Sequence, residues 1–267
     1  MRKKPRVLTV LCILLMLSGL GVMLYPTLYD RYTQWKLSQE IGQYNQVATA
    51  TKKNYDELWA PAEAYNRFLA EKDRQFVLSE EEAQLIPTLL NPLGNTMLGY
   101  IEIPSIHVQL PIYQGTDEQS LQDGAGWWIG SSLPTGGPNT HCVLTAHTGL
   151  VKSKMFTDID QLEPGDTFTL TILDRKLTYR VDKILITEPE DISNLYIQKG
   201  RDLVTLYTCY PYGENTQRLL VRGTRISLSD SQPHSGSDQS LTGGQSALLA
   251  LALLIFLRQS LPQWVHK

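Results

Sequence analysis

The chain has 267 residues, a net charge of −3 and an apolar content ordinary for a packed core, which suits one medium domain with appendages or at most two small ones. The mildly acidic balance carries no basic stripe, so no nucleic-acid partner is expected. Three cysteines make an odd count, which argues against a disulfide framework, and no internal repeat is visible.

The N-terminus sets the compartment. Arg2, Lys3, Lys4 and Arg6 make residues 1–6 a basic flank that stays in the cytoplasm. An uncharged run follows at 7–25, VLTVLCILLMLSGLGVMLY, matching the roughly 20 residues needed to cross a bilayer. A cleaved signal peptide is the alternative, but no A-x-A site follows, which favours an uncleaved anchor. Either way the rest of the chain is expected outside the cell.

Residues 26–96 read as a helical N-terminal subdomain. Leu37, Ile41, Tyr44 and Val47 recur at threes and fours, and so do Tyr55, Leu58, Trp59, Ala62, Tyr65, Phe68 and Leu69. Pro61 is expected to kink or start a helix. These aromatics suit packing against the main body. Residues 71–98 are charged, then interrupted by Pro87, Pro92 and Gly94, a connection with one short helix.

At Met97 the texture changes. LGYIEIPSIHVQLPIY alternates apolar and polar residues and carries prolines, as strands at sheet edges do. HCVLTAH, TFTLTIL, KLTYRVDKILIT, LVTLYTC and RLLVRGTRISL continue the pattern, punctuated by Pro134–Pro138, Pro164–Asp166 and Pro211–Gly213. Many short strands with such turns predict a mainly β domain over 97–228, a closed barrel or a sandwich. The chain then turns rich in Ser, Gly, Asp and Gln, a flexible linker at 229–246. The tail at 247–267 holds the apolar run ALLALALLIFL. With LTGGQS before it, the run reaches the low end of spanning length, so a second membrane segment is expected there, a surface-lying tail being the alternative.

Among the histidines, His234 and His266 fall in the linker and tail, His107 in an alternating strand, and His141 at a strand start where it could cap. His147 closes the apolar run CVLTA and opens a turn, where a barrel strand reaches the rim. Rim loops on rigid scaffolds concentrate functional side chains. Cys209 ends the run LVTLYT in the same way. Alone, it reads as a small buried hydrophobe, as free cysteines usually are, or as a partner of Cys142. Arg218 opens RLLVRGTR beyond the Pro-Tyr-Gly turn, and antiparallel neighbours would bring it beside Cys209. A guanidinium there favours thiolate and stabilises charge on an attacked carbonyl oxygen, although a solvated strand-end charge is the plain alternative. His147, Cys209 and Arg218 together supply an acid/base, a nucleophile and a clamp for acyl transfer. CxxC and HExxH are absent, so neither a metal nor a cofactor is implied.

Several motifs in this order resemble the sortases, membrane-anchored cysteine transpeptidases of Gram-positive bacteria. TLYTC at 205–209 resembles their TLxTC motif, LTAHTGL at 144–150 their histidine motif, and NTQRLLVRG at 215–223 their arginine strand. GYIEIP, LPIYQGT, SLPTGGPNTHCVLTAH, MFTDIDQLEPGDTF and the PYG turn look most like class C, the pilin-polymerising sortases. The resemblance implies a closed eight-stranded sortase-type β-barrel with N-terminal helices and flanking transmembrane segments. It also implies cleavage of an LPxTG-like signal between Thr and Gly, with Cys209 as nucleophile, His147 as acid/base and Arg218 as clamp. The partners implied are LPxTG-bearing pilins, as substrate and as lysine acceptor, at the outer face of the cell membrane. A housekeeping sortase acting on peptidoglycan and a non-catalytic assembly scaffold are the alternatives. The family's class C members carry a lid with an Asp-Pro-aromatic motif, and residues 71–98 contain none, which implies a less occluded site. Thr208, Tyr210 and Gln217 are expected to bind substrate; Tyr210 and Gln217 stand where relatives have threonine and histidine, and Ala146 and Thr148 where they have glycine and arginine.

Overall fold

The computed structural model describes residues 4–50, 55–149 and 154–226; the linker and tail expected at 229–267 lie outside the described residues. Helix α1 (Lys4–Ala50) joins the apolar run and the first amphipathic stretch into one element, with Pro26 inside it. Its N-terminal part is apolar and exposed, and the helix is long and apolar enough to cross a membrane. Its distal part docks on the barrel. Ile41 and Tyr44 are buried with Met97 and Tyr100. The Tyr44 hydroxyl donates to the Leu98 carbonyl at 2.7 Å and accepts from the Leu173 N–H at 2.8 Å. One phenol therefore ties α1 to two strand ends.

Helix α2 (Asp56–Ala70) buries Trp59, Ala62, Tyr65, Asn66 and Leu69, the face its period predicts. Pro61 lies inside α2, past its first turn, rather than at its start. Asn66 fixes the helix to the loop after Trp128. Its amide nitrogen donates to Leu133 O at 3.0 Å and Thr135 Oγ1 at 2.8 Å, and its oxygen accepts from Leu133 N at 2.8 Å. A short helix, α3 (Glu80–Leu85), starts at a capping box formed by Ser79 and Glu82.

Eight strands follow: β1 (Met97–Ile103), β2 (Val108–Gln114), β3 (Ala125–Trp127), β4 (Thr140–Thr145), β5 (Thr167–Ile172), β6 (Arg175–Thr187), β7 (Asp202–Tyr210) and β8 (Gln217–Arg225). A short helix, α4 (Glu118–Asp123), sits between β2 and β3. The strands close in the order β1-β2-β3-β4-β7-β8-β6-β5, so the sheet has no free edge. The pairs β2–β3 and β4–β7 are parallel and the others antiparallel. Alternation fills the interior with Ile101, Leu110, Leu144, Leu170, Leu206 and Val221. Gly223 lets β8 pass the ring of Phe168, which a Cβ there would approach at 2.7 Å. Register with β7 runs unbroken through Gly223, and the shift falls on β6 between Val181 and Lys183. The residue at 107 departs from expectation. His107 is not in a strand but takes the left-handed φ of 55° that ends the turn Pro104–Ile106 between β1 and β2.

Candidate active site

Three strands place the candidate residues. Cys209 and Arg218 are register partners across β7 and β8, as the Pro-Tyr-Gly turn suggested. Strand β4 runs parallel to β7 with Thr145 opposite Tyr207. His147 lies two residues past the end of β4, in the loop that leaves the barrel at the end of β7 carrying Cys209. The loop is held there: Ala146 N donates to Tyr207 O at 3.3 Å, and Phe156 N to His147 O at 3.1 Å. Gly149, at φ 75°, leaves room for the Tyr212 ring, which a Cβ would meet at 3.2 Å. The turn after Cys209 therefore rests on the histidine loop.

Cys209 is free and partly exposed. Cys142 is free too and buried inside the barrel, level with Val204, so the disulfide alternative fails. Five residues of strand, roughly 17 Å, separate the two levels. Burial pushes the Cys142 thiol up, as suits an inert structural cysteine. The Arg218 guanidinium donates from one nitrogen to the carbonyls of Asn215 at 3.0 Å and Gln217 at 2.8 Å. These bonds tether the charge to the turn, and the planar group keeps further N–H donors.

The barrel wall carrying these residues is the candidate groove floor. Alternation puts Thr205, Tyr207 and Cys209 of β7 on the outer face, with Val143 of β4 and Leu220 of β8. Val143, Leu195, Tyr207 and Leu220 form a buried cluster there, with Phe76, Trp128, Leu185 and Ile192 packed on it. Tyr207 is an unforeseen member of the site. Its ring meets Trp128 edge-on at 5.0 Å. Burial raises its phenol, and the charge of nearby Arg218 pulls it back down. Its place two residues before Cys209 on one face was available from alternation alone.

The three expected substrate contacts divide. Thr208 does not face the groove. The same alternation turns it into the barrel, 3 % exposed, where its hydroxyl donates to Ala146 O at 2.7 Å and holds the residue before His147. Tyr210 pairs with Gln217 at the mouth of the β7–β8 turn and packs partly on the main core. Gln217 Nε2 donates to Glu188 Oε1 at 3.3 Å.

Residues 71–79, without the Asp-Pro-aromatic motif, nonetheless reach this face. Phe76 packs edge-on against Trp128 at 6.4 Å and Tyr196 at 5.2 Å, above the Tyr207 floor. His141, expected to cap a strand, is fully buried, with its ring between Tyr196 O and Thr205 Oγ1. A separate polar hollow of about 1240 Å³, lined by Asn66, Gly136, Asp202 and Arg225, opens at the start of β7. It lies roughly 23 Å along the strand from Cys209, so the chemistry-bearing residues are not in it.

Known proteins match this architecture. The sortase domain family matches residues 101–226. Sortase D of Bacillus subtilis is 32 % identical over 131 residues, which cover 48 % of this chain and 63 % of its own length. The crystal structure of sortase C1 from Streptococcus agalactiae is 40 % identical, with a TM-score of 0.69 over 71 % of this chain and 98 % of that one. Sortase C from Clostridium perfringens, solved with the C-terminal cell wall sorting motif, is 43 % identical, with a TM-score of 0.62 over 72 % of this chain and all of that one (100 %). The family match, the identities and the near-complete coverage of those solved domains agree, and the chain belongs to the sortase family of cysteine transpeptidases, with class C sortases among its structural neighbours.

Proposed function

We propose that the chain is a membrane-anchored class C sortase that joins pilin subunits outside the cell. The observation carrying this reading is the Cys209–Arg218 register pair, with His147 in the loop just past the end of the adjoining parallel strand. The Cys209 thiolate attacks the Thr carbonyl carbon of an LPxTG-like signal. The Thr–Gly C–N bond breaks, His147 protonates the departing glycine amine, and a thioacyl enzyme remains. Arg218 N–H groups bind the oxyanion of the tetrahedral states. A pilin lysine amine then attacks the thioester, gives its proton to His147 and releases Cys209 with formation of an isopeptide bond.

Two similarities support the substrate class. The C. perfringens neighbour was solved with a cell wall sorting motif, and the crystal structure of Streptococcus pneumoniae sortase C, 40 % identical, bears on pilin substrate specificity. Anchoring is supported by the exposed apolar part of α1 and by the row Tyr25, Tyr29, Tyr32 and Trp35 after it, with ring centroids 5.7, 6.3 and 6.2 Å apart. Aromatic rings of this kind gather where a helix leaves the bilayer. We also read residues 73–79 as a cover on the groove, because Phe76 fills the space above Tyr207.

The acceptor amine tests the reading. Purified protein given an LPxTG-type peptide and a lysine-bearing pilin should form isopeptide-linked ladders, which Cys209→Ala abolishes. Transfer to lipid II or oligoglycine alone would instead identify a housekeeping sortase. Pilin binding without cleavage would identify a scaffold.

A further inference from the structure

His141 is fully buried yet lies on the groove side of β4, the side of Val143. Its Nδ1 is 2.9 Å from Tyr196 O and its Nε2 2.7 Å from Thr205 Oγ1. A carbonyl oxygen can only accept, so Nδ1 carries the proton. Nε2 is then the acceptor, and the Thr205 hydroxyl donates to it. One neutral imidazole in a defined tautomer thus joins two elements. Thr205 belongs to β7, two pleats before Cys209 on the same face. Tyr196 belongs to the segment linking β6 to β7, which supplies Ile192 and Leu195 to the groove cluster. The Tyr196 ring also holds Phe76, which holds Trp128, which holds Tyr207. Phe76 is thus placed relative to β7 partly through the segment that His141 clips, while Trp128 also meets β7 directly at Tyr207.

We propose that His141 is a positioning residue for the transpeptidation proposed above, its imidazole fastening the β6–β7 segment to β7 and so fixing the wall of the groove that receives the sorting signal. A satisfied core histidine with no such role is the competing reading, and the two differ in what they change. His141 touches no reacting atom. Its removal should therefore loosen the groove wall while leaving Cys209, His147 and Arg218 in place, an effect on binding more than on chemistry.

The test is steady-state cleavage of an LPxTG-type peptide by the full chain in detergent. His141→Ala should raise KM about tenfold while kcat changes less than about threefold. His141→Gln, whose amide can donate to Tyr196 O and accept from Thr205, should recover most of the loss. Thr205→Val removes only the hydroxyl donor and should raise KM by a smaller factor, which serves where His141→Ala does not fold. Nitrogen-15 NMR of the wild-type histidines should show one exchange-protected ring proton on Nδ1. A folded His141→Ala or Thr205→Val variant with unchanged KM overturns the proposal. So does a fall in kcat alone, and so does a proton found on Nε2. A wild-type protein that cleaves no sorting peptide overturns the transpeptidase reading and this proposal together, whereas an active wild type with an unaltered variant KM overturns only the role of His141.

Discussion

The buried imidazole makes a quantitative statement about acid stability. Burial is the largest cause holding His141 at a pKa of about 4 in the fold, below the 6.5 of a free side chain. The Arg222 and Arg201 charges lower it further, while the Tyr196 carbonyl and Asp182 oppose them. The unfolded chain takes up a proton below pH 6.5 and the folded chain does not until about pH 4. Stability from the neutral imidazole is therefore complete above pH 6.5 and is lost as pH falls from 6.5 to about 4. The difference corresponds to about 3 kcal/mol at 1.36 kcal/mol per pKa unit. For a domain of this size that is roughly 6–12 °C in melting temperature. The assay is thermal unfolding of the protein and of His141→Gln at pH 7.5 and 4.5. Subtracting the two pH responses removes titrations common to both, including the lowered carboxyl of Asp182 and the raised one of Asp202. The wild type should lose several degrees more than the variant. Equal losses, or an imidazole that titrates near 6.5 by NMR, would refute the reasoning.

Three further outcomes are expected. Phe76→Ala should speed both thiol labelling of Cys209 and hydrolysis of a sorting peptide several-fold, because the ring packed over Tyr207 is gone; unchanged rates would mean that the segment covers nothing in solution. Asp202→Ala should cost about 2–3 kcal/mol in urea unfolding, since the Tyr179 hydroxyl at 2.9 Å and Gly137 N at 2.7 Å lose their acceptor; a cost under about 0.5 kcal/mol contradicts this. In vesicles, the fluorescence that Trp35→Phe removes should be quenched by headgroup-level probes, and quenching only by aqueous iodide would detach that aromatic row from the interface.

The barrel was legible because half-buried strands carry a period of two, and the turns between them are marked by Pro and Gly. Which strands pair was not, since β4 and β7 meet in parallel across some sixty residues and no local pattern records that neighbour. The catalytic candidates were visible through their motifs, and Cys209 with Arg218 through a turn short enough to fix the register. The inward facing of Thr208 was not legible in its motif, because a motif position does not give a facing direction and alternation from Cys209 turns the side chain into the barrel. Phe76 gives no sequence signal because it follows α2 in irregular chain, where an aromatic has no periodic partner to show what it packs on. His141 and His107 look alike as letters in alternating runs. Only tertiary contact separates a buried clip from an exposed turn residue.

The central claim is that Cys209 takes the acyl group of a sorting signal. Intact-mass spectrometry of the full chain mixed with an LPxTG-type peptide, without an amine acceptor and quenched in acid, measures this directly. The expected product is an adduct equal to the peptide up to Thr minus one water, mapped to Cys209, released by hydroxylamine and absent in Cys209→Ala. An adduct on another residue, or cleaved peptide produced equally by Cys209→Ala, would contradict it.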